Sequence, residues 1–152
     1  MTRLLLLAHS PLASALRDVA AHAFPDCAAG LEALDVPPAL DLDGVEARLR
    51  EHLAAHAQDD VLVLVDVFGA TPCNAAMRVA DGVHVRVVAG VNVPMLWRTL
   101  CYRDEPLDKL VERALAGAAQ GVMHVAGARR QNQAPAGGRS PSHDQIVHSH
   151  QQ

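Results

Sequence analysis

The sequence predicts a three-layer α/β domain built on a mainly parallel, open sheet. Two short apolar runs, residues 4–7 and Val61–Val65, have no polar face and are typical of strands buried on both sides. Segments with helical spacing alternate with such runs along the chain, as in β-α-β units. Half of the 152 residues are hydrophobic but only 3% are aromatic, and a core of Leu, Val and Ala suits parallel strands covered by helices.

The first half of the chain follows this alternation. The opening strand ends at His9, and Ser10-Pro11 then provides an N-cap residue and a residue favoured at the first helical position. This helix is expected to end near Ala23. A weaker strand over 29–34, interrupted by Glu32, is expected near the sheet edge. A second helix, capped by Asp41 or Asp43, is expected to end near residue 58.

The second half begins with Val61–Val65, which is the strongest strand of the sequence and is expected at the centre of the sheet. Asp66 ends it. The remaining predicted elements are a helix from Thr71-Pro72, a strand over 83–89, a short helix after Pro94, a helix opened by Pro106, and a short last strand over 121–126.

Composition divides the chain into a domain over 1–127 and a polar tail over 128–152. The tail contains only Ile146 and Val147 as large apolar residues, so it cannot bury enough surface to order itself, and we expect it to be disordered. The net charge of -4 argues against a nucleic-acid or anionic-membrane surface. Three cysteines without a CxxC pair and an apolar start too short for an export signal favour a reduced, cytoplasmic protein.

The strand ends indicate where chemistry would take place. If the sheet has a flavodoxin-like order 2-1-3-4, the first and third strands are neighbours and the chain reverses direction between them, so His9 and Asp66 meet at one edge. A histidine forms a phosphoryl intermediate when one ring nitrogen donates its hydrogen and the other stays unprotonated. Asp66 is the expected acceptor of that hydrogen, and His9 the expected nucleophile.

A bound phosphoryl group also needs donors for its oxygens, and Lys109 is the only lysine. The helix starts at Ser10-Pro11 and Thr71-Pro72 are expected to supply amide hydrogens and the positive ends of two helix dipoles. The predicted phosphate-binding residues are Ser10, Phe68, Gly69, Ala70 and Thr71.

Other sites are not supported by the sequence. His52 and His56 are four residues apart, a spacing that can hold a metal, but with no intervening glutamate and no third ligand in view we interpret them as a solvated helix face. The histidines of the tail are interpreted as incidental. GxGxxG, GxxxxGK[ST] and GxSxG motifs are absent, so we predict neither a nucleotide cofactor nor a serine hydrolase, and no metal.

Three stretches resemble the mannose-type IIA components of the bacterial phosphoenolpyruvate-dependent sugar phosphotransferase system. They are Ala8-His9-Ser10, the segment 64–75 around Asp66, and the segment 89–96. The resemblance implies that His9 is phosphorylated on Nε2 by the histidine-containing phosphocarrier protein, that Asp66 orients it, and that a IIB component accepts the phosphate. It also implies a homodimer in which a last strand, Val122 to Val125 here, is exchanged between protomers.

The sequence departs from that family pattern at several positions. Ser10 and Ala70 replace glycines, Thr71 stands where serine is usual, and the sequence shows no fused IIB domain. Two alternatives therefore stay open. One is a regulatory module whose phosphorylation state is sensed without sugar transport, and the other is the phosphotransfer subunit of a dihydroxyacetone kinase, which shares the fold.

Overall fold

A computed structural model describes residues 1–126, and the predicted tail lies outside them. The described elements are, in chain order, β1 (Arg3–His9), α1 (Leu12–Ala23), α2 (Pro25–Ala28), β2 (Glu32–Val36), α3 (Leu42–Ala54), β3 (Val61–Val65), α4 (Thr71–Val79), β4 (Val85–Ala89), α5 (Val93–Cys101) and α6 (Leu107–Gly121). None of the helices in this part of the chain is both long and apolar enough to cross a membrane.

The four strands form one sheet in the order β2-β1-β3-β4, and every described pair is parallel. This confirms the predicted fold class and strand order. All five residues of β3 are buried, which confirms its central place. The pairing of Leu7 with Val65 brings the carboxyl ends of β1 and β3 to the same level.

Successive side chains of the central strands enter two different cores, because they alternate between the faces of the sheet. Leu4 and Leu6 pack with α1, α5 and α6 on one face. Leu5 and Leu7 pack with α3 and α4 on the other. A strand with apolar residues at every position is therefore what this three-layer arrangement requires.

Several element boundaries differ from the sequence prediction. A short helix, α2, follows Phe24 where we expected only a helix end, because Pro25 is acceptable at a first helical position. The helix α3 ends at Ala54, before the predicted residue 58. The strand β4 starts at Val85 instead of residue 83, because the Oδ1 atom of Asp81 accepts the amide hydrogens of Val83, His84 and Val85 and folds this segment into a turn.

The predicted last strand is not formed within this single chain. The helix α6 continues to Gly121, supported by its alanine-rich final turns, and the following residues have no regular secondary structure. Val122, Met123 and Val125 are 74%, 68% and 81% exposed. A strand needs a hydrogen-bonded neighbour, and none of the four described strands pairs with this segment.

The contact between α5 and α6 depends on a glycine. A Cβ atom added at Gly117 would lie 2.7 Å from Cβ of Arg98 and 3.1 Å from the carbonyl oxygen of Pro94. The two helices can approach this closely because Gly117 has no side chain, and a Cβ atom at Gly121 would likewise clash with the ring of Pro94.

We predict that Gly117→Ala lowers the free energy of unfolding by about 1–3 kcal/mol, the usual cost of overpacking. Intrinsic helix propensity alone would give the opposite sign, a gain of about 1 kcal/mol. The measurement is urea denaturation followed by circular dichroism. Ala119→Gly, at an exposed position of the same helix, provides the control for propensity. A stabilised Gly117→Ala variant would contradict the close contact.

Candidate active site at the carboxyl edge of the sheet

His9 and Asp66 lie side by side at the carboxyl edge of the sheet, as the sequence predicted. Nδ1 of His9 is 2.6 Å from Oδ2 of Asp66. The backbone N–H of His9 donates to the same oxygen at 3.0 Å. Because one carboxylate oxygen contacts both the backbone and the ring of His9, it fixes the position of the imidazole.

The environment keeps Asp66 ionised. Its side chain is only 11% exposed, whereas that of His9 is 52% exposed. Burial by itself raises the pKa of Asp66, but hydrogen bonds from the His9 amide, the His9 ring and the Val67 amide outweigh it, so the pKa lies below its usual value of 3.8. The ionised carboxylate can accept the Nδ1 hydrogen of His9, and in that tautomer the lone pair lies on Nε2.

The amino end of α4 follows Asp66 closely in the chain. The helix begins at Thr71 with Ala70 as its N-cap residue, and no side chain of the described residues caps it. Pro72 has no amide hydrogen, but the N–H groups of Thr71 and Cys73 belong to the first turn and have no partner within the helix. This helix end can therefore offer donors and a positive dipole end to an anion.

The loop between Asp66 and α4 is exposed and has a defined backbone. Phe68 is 75% exposed, and Gly69 has a φ of +86°, a left-handed conformation that favours glycine. The side-chain amide of Asn74 donates to the carbonyl oxygen of Gly69 at 3.2 Å and holds the loop against α4. Ala70 and Thr71 are partly buried. Four of the five predicted phosphate-binding residues thus form one continuous segment.

The structure corrects the predicted role of Ser10 as a helix cap. Ser10 is exposed, and its amide donates to the carbonyl oxygen of Val36 at 3.0 Å, which is the last hydrogen bond beside the His9–Val36 pair. The helix α1 begins only at Leu12, with Pro11 at the N-cap position. Ser10 therefore lies in the turn between β1 and α1 and does not cap the helix.

Asp35, at the end of β2, takes the place of that cap. Its Oδ1 atom accepts the amide hydrogen of Ser14, in the first turn of α1, at 3.0 Å. Burial raises the pKa of Asp35, but hydrogen bonds from the Ser14 hydroxyl, the Ser14 amide and the Ala13 amide outweigh it and lower the pKa. The first-turn amides of α1 thus already have an anionic partner, and α4 is the helix that offers free ones.

The sequence analysis missed Asp35 because it ended the edge strand at residue 34. The structure pairs Ala8 with Asp35, so this carboxylate also stands at the carboxyl edge, on the other side of β1 from Asp66. The position of Asp35 directly after the predicted second strand is the signal that could have placed it at this edge.

Comparison with known proteins identifies the family of this chain. A family model described as EIIA-man, PTS system fructose IIA component, matches residues 3–115. The matched segment contains the whole sheet and both His9 and Asp66. The chain belongs to the EIIA-man family.

Curated relatives of this family member include a longer bacterial protein. The mannose-specific EIIAB component of the phosphotransferase system of Escherichia coli (strain K12) is 44% identical over 79 residues, which are 50% of this chain and 24% of that protein. The fructose-specific EIIA component of Bacillus subtilis (strain 168) is 44% identical over 48 residues, 31% of this chain and 33% of that protein. The matches thus span about a quarter to a third of the relatives' lengths.

Solved structures show the same architecture. The mannose/sorbose-specific IIA subunit from Enterococcus faecalis superposes with a TM-score of 0.78 at 26% identity, covering 84% of this chain and 97% of that one. The EIIA component from Streptococcus agalactiae superposes with a TM-score of 0.73 at 18% identity, covering 82% and 97%, and this likeness concerns the fold alone.

The lowered pKa of Asp66 predicts a pH-dependent contribution to stability. Its folded-state pKa lies below the usual 3.8, so the stabilisation is present above that value and is lost as the pH falls through the folded-state pKa. We expect the free energy of unfolding of Asp66→Asn to depend less steeply on pH below about 4 than that of the unmodified chain. Urea denaturation at a series of pH values measures this difference.

Proposed function

We propose that this chain is a cytoplasmic phosphocarrier of a sugar phosphotransferase system, which accepts a phosphoryl group on Nε2 of His9 and passes it to another protein. The observation that carries the proposal is the 2.6 Å contact between Nδ1 of His9 and Oδ2 of Asp66. It leaves Nε2 as the nucleophilic atom of a half-exposed imidazole.

The proposed transfer is a displacement at phosphorus. The Nε2 lone pair of neutral His9 forms the new N–P bond while the N–P bond of the donor's phosphohistidine breaks, and the donor leaves as a neutral imidazole. The Nδ1 hydrogen of His9 stays in place, so the phosphorylated ring carries a positive charge. The adjacent Asp66 carboxylate offsets that charge and also holds the ring in the reactive orientation.

The phosphoryl oxygens would be bound mainly at the amino end of α4. The N–H groups of the first turn, the Thr71 hydroxyl and the backbone of the 68–70 loop are the donors that we propose. The amino end of α1 contributes less, since Asp35 occupies it and its negative charge would repel an anion. Ser10, which is exposed beside His9, is retained in the proposal as a hydroxyl donor.

The surroundings of His9 favour a protein as phosphoryl donor. Val67 and Phe68, which directly follow Asp66, are 50% and 75% exposed. Exposed aromatic side chains are enriched at protein interfaces. By family membership, the proposed donor is the histidine-containing phosphocarrier protein and the proposed acceptor is a IIB component. Neither a sugar nor a cofactor is assigned.

A homodimer is part of the proposal. Val122, Met123 and Val125 follow α6 with apolar side chains that are 68–81% exposed. Contiguous exposed apolar residues are typical of interaction surfaces. Exchange of this segment between protomers is still a prediction from the resemblance.

We predict that His9→Gln abolishes phosphorylation. The full chain, incubated with radiolabelled phosphoenolpyruvate, enzyme I and the histidine-containing phosphocarrier protein, should gain one acid-labile, base-stable phosphate per chain, and the variant should gain none. His22→Gln, which changes an exposed histidine on α1, is the matched control and should be labelled normally. Labelling that persists in His9→Gln would contradict the assignment of the nucleophile.

We predict that Asp66→Asn slows the transfer without preventing it. A hydrogen bond to a charged group contributes about 1.5–3 kcal/mol, which corresponds to a roughly 10- to 100-fold lower rate. Rapid-quench measurement of phosphoryl transfer from the donor protein gives this rate. Asp26→Asn, which changes an exposed aspartate in α2, is the control and should keep a rate within about threefold of the unmodified chain. Equal rates for Asp66→Asn and the unmodified chain would contradict the orienting role.

A further inference from the structure

Two histidines and a glutamate converge at the opposite, amino edge of the sheet. Glu32 is the first residue of β2, His52 lies in the last turns of α3, and His56 lies in the turn that follows α3. Oε2 of Glu32 is 2.6 Å from Nε2 of His52 and 3.6 Å from Nε2 of His56. We refer to these three residues as the Glu32 cluster.

The cluster differs from the solvated helix face that the sequence suggested. The side chains of His52 and His56 are each 23% exposed, and that of Glu32 is 22% exposed. The two imidazoles meet edge to face, with centroids 5.5 Å apart, and both Nε2 atoms point to the same carboxylate oxygen. Glu32 is the third ligand that the spacing of the two histidines alone lacked.

The distances fit a tetrahedral metal with small adjustments. The three potential ligand atoms all lie within 4.8 Å of one another. Zinc bonds to nitrogen and oxygen are about 2.0–2.2 Å long, so ligand atoms around a tetrahedral zinc are about 3.4 Å apart. The observed 2.6 Å and 3.6 Å lie on either side of that value. Metal binding would lengthen the 2.6 Å contact between Glu32 and His52 by about 0.8 Å.

Arg3 and Asp59 lie on the outer side of the Glu32 cluster. Nη1 of Arg3 donates to Oε1 of Glu32 at 3.0 Å, which leaves Oε2 directed at the histidines. Nε of Arg3 donates to Oδ2 of Asp59 at 2.6 Å, and this same oxygen lies 3.9 Å from Nδ1 of His56. At 3.9 Å the Asp59 carboxylate does not yet accept a hydrogen bond from His56, but it lies on the far side of the imidazole, where carboxylates commonly support zinc ligands.

We propose that Glu32, His52 and His56 bind a divalent zinc-like cation, with solvent completing the coordination. Two imidazoles and one carboxylate suit zinc better than magnesium or calcium, which prefer oxygen ligands. Bound metal would tie the start of β2 to the end of α3. The cluster is close to Arg3, and six residue steps of β1 separate Arg3 from His9, about 20 Å at 3.3 Å per residue. The metal site is therefore independent of the proposed phosphoryl transfer.

The test is a metal titration of the full chain. His143, His148 and His150 lie outside the described residues and would add weak sites, so the reference protein carries all three as glutamine. Isothermal titration with Zn²⁺ should show one site per chain, and Co²⁺ should give the visible absorption bands of a tetrahedral complex. Changing an outer-shell group typically lowers metal affinity about 10- to 100-fold, so His52→Gln and His56→Gln, which remove a ligand, should lower it by at least that factor.

His84→Gln provides the matched control. His84 also pairs with a carboxylate, with Nδ1 2.8 Å from Oδ1 of Asp60, but this pair includes no second histidine. We expect its affinity for Zn²⁺ to equal that of the reference protein. His9→Gln should likewise bind Zn²⁺ normally even though it cannot be phosphorylated, which separates this proposal from the proposed function.

Two results would overturn the proposal. One is the absence of a one-to-one site in the reference protein, which would leave the Glu32 cluster as a hydrogen-bonded His–Glu pair. The other is unchanged affinity in both His52→Gln and His56→Gln. Circular dichroism of each variant verifies folding. If His52→Gln unfolds, His56→Gln decides the question. His56 is the less disruptive residue to change, because its contact with Glu32 is longer, 3.6 Å against 2.6 Å.

Discussion

The parallel pairing of β1 with β3 is the constraint on which this molecule depends. Their register aligns Leu4 with Leu62 and Leu7 with Val65, and these side chains are almost fully buried. Each such side chain contributes about 1.5–3 kcal/mol of hydrophobic free energy. A shift by one residue would exchange the two cores, because neighbouring side chains face opposite sides of the sheet. The packing of the cores therefore places His9 beside Asp66.

The helix ends at the carboxyl edge have different tasks. The Asp35 carboxylate accepts a hydrogen bond from the first turn of α1 and thereby connects β2 to the amino end of this helix. The first turn of α4 has no such cap among the described residues, and it follows the loop that begins at Asp66. Two helix starts that look alike in sequence, each with a hydroxyl residue before proline, thus differ in whether a neighbouring strand supplies a carboxylate.

The two edges of the sheet also separate two kinds of histidine chemistry. At the carboxyl edge, one imidazole is half exposed and is bonded to a carboxylate through Nδ1, an arrangement suited to a nucleophile. At the amino edge, two imidazoles are mostly buried and face one carboxylate through Nε2, an arrangement suited to ligating a metal. The nitrogen that faces the carboxylate, and the exposure of the ring, distinguish the two cases.

The sequence by itself determined the layers, the central strand and the pairing of His9 with Asp66. Runs such as Val61–Val65 have apolar residues at every position, and both faces of such a strand are buried only when helices cover the sheet on each side. The carboxyl ends of parallel strands must also share one edge of the sheet. Local signals were weaker wherever a distant group intervened. The sequence predicted Ser10 as a helix cap, but its amide donates to Val36 and the first turn of α1 is capped by Asp35. The sequence also predicted a strand after Gly121, but no described strand pairs with those residues. Glu32 joined His52 and His56 only through the packing of α3 against the edge strand, a contact between residues twenty or more positions apart that no spacing rule encodes.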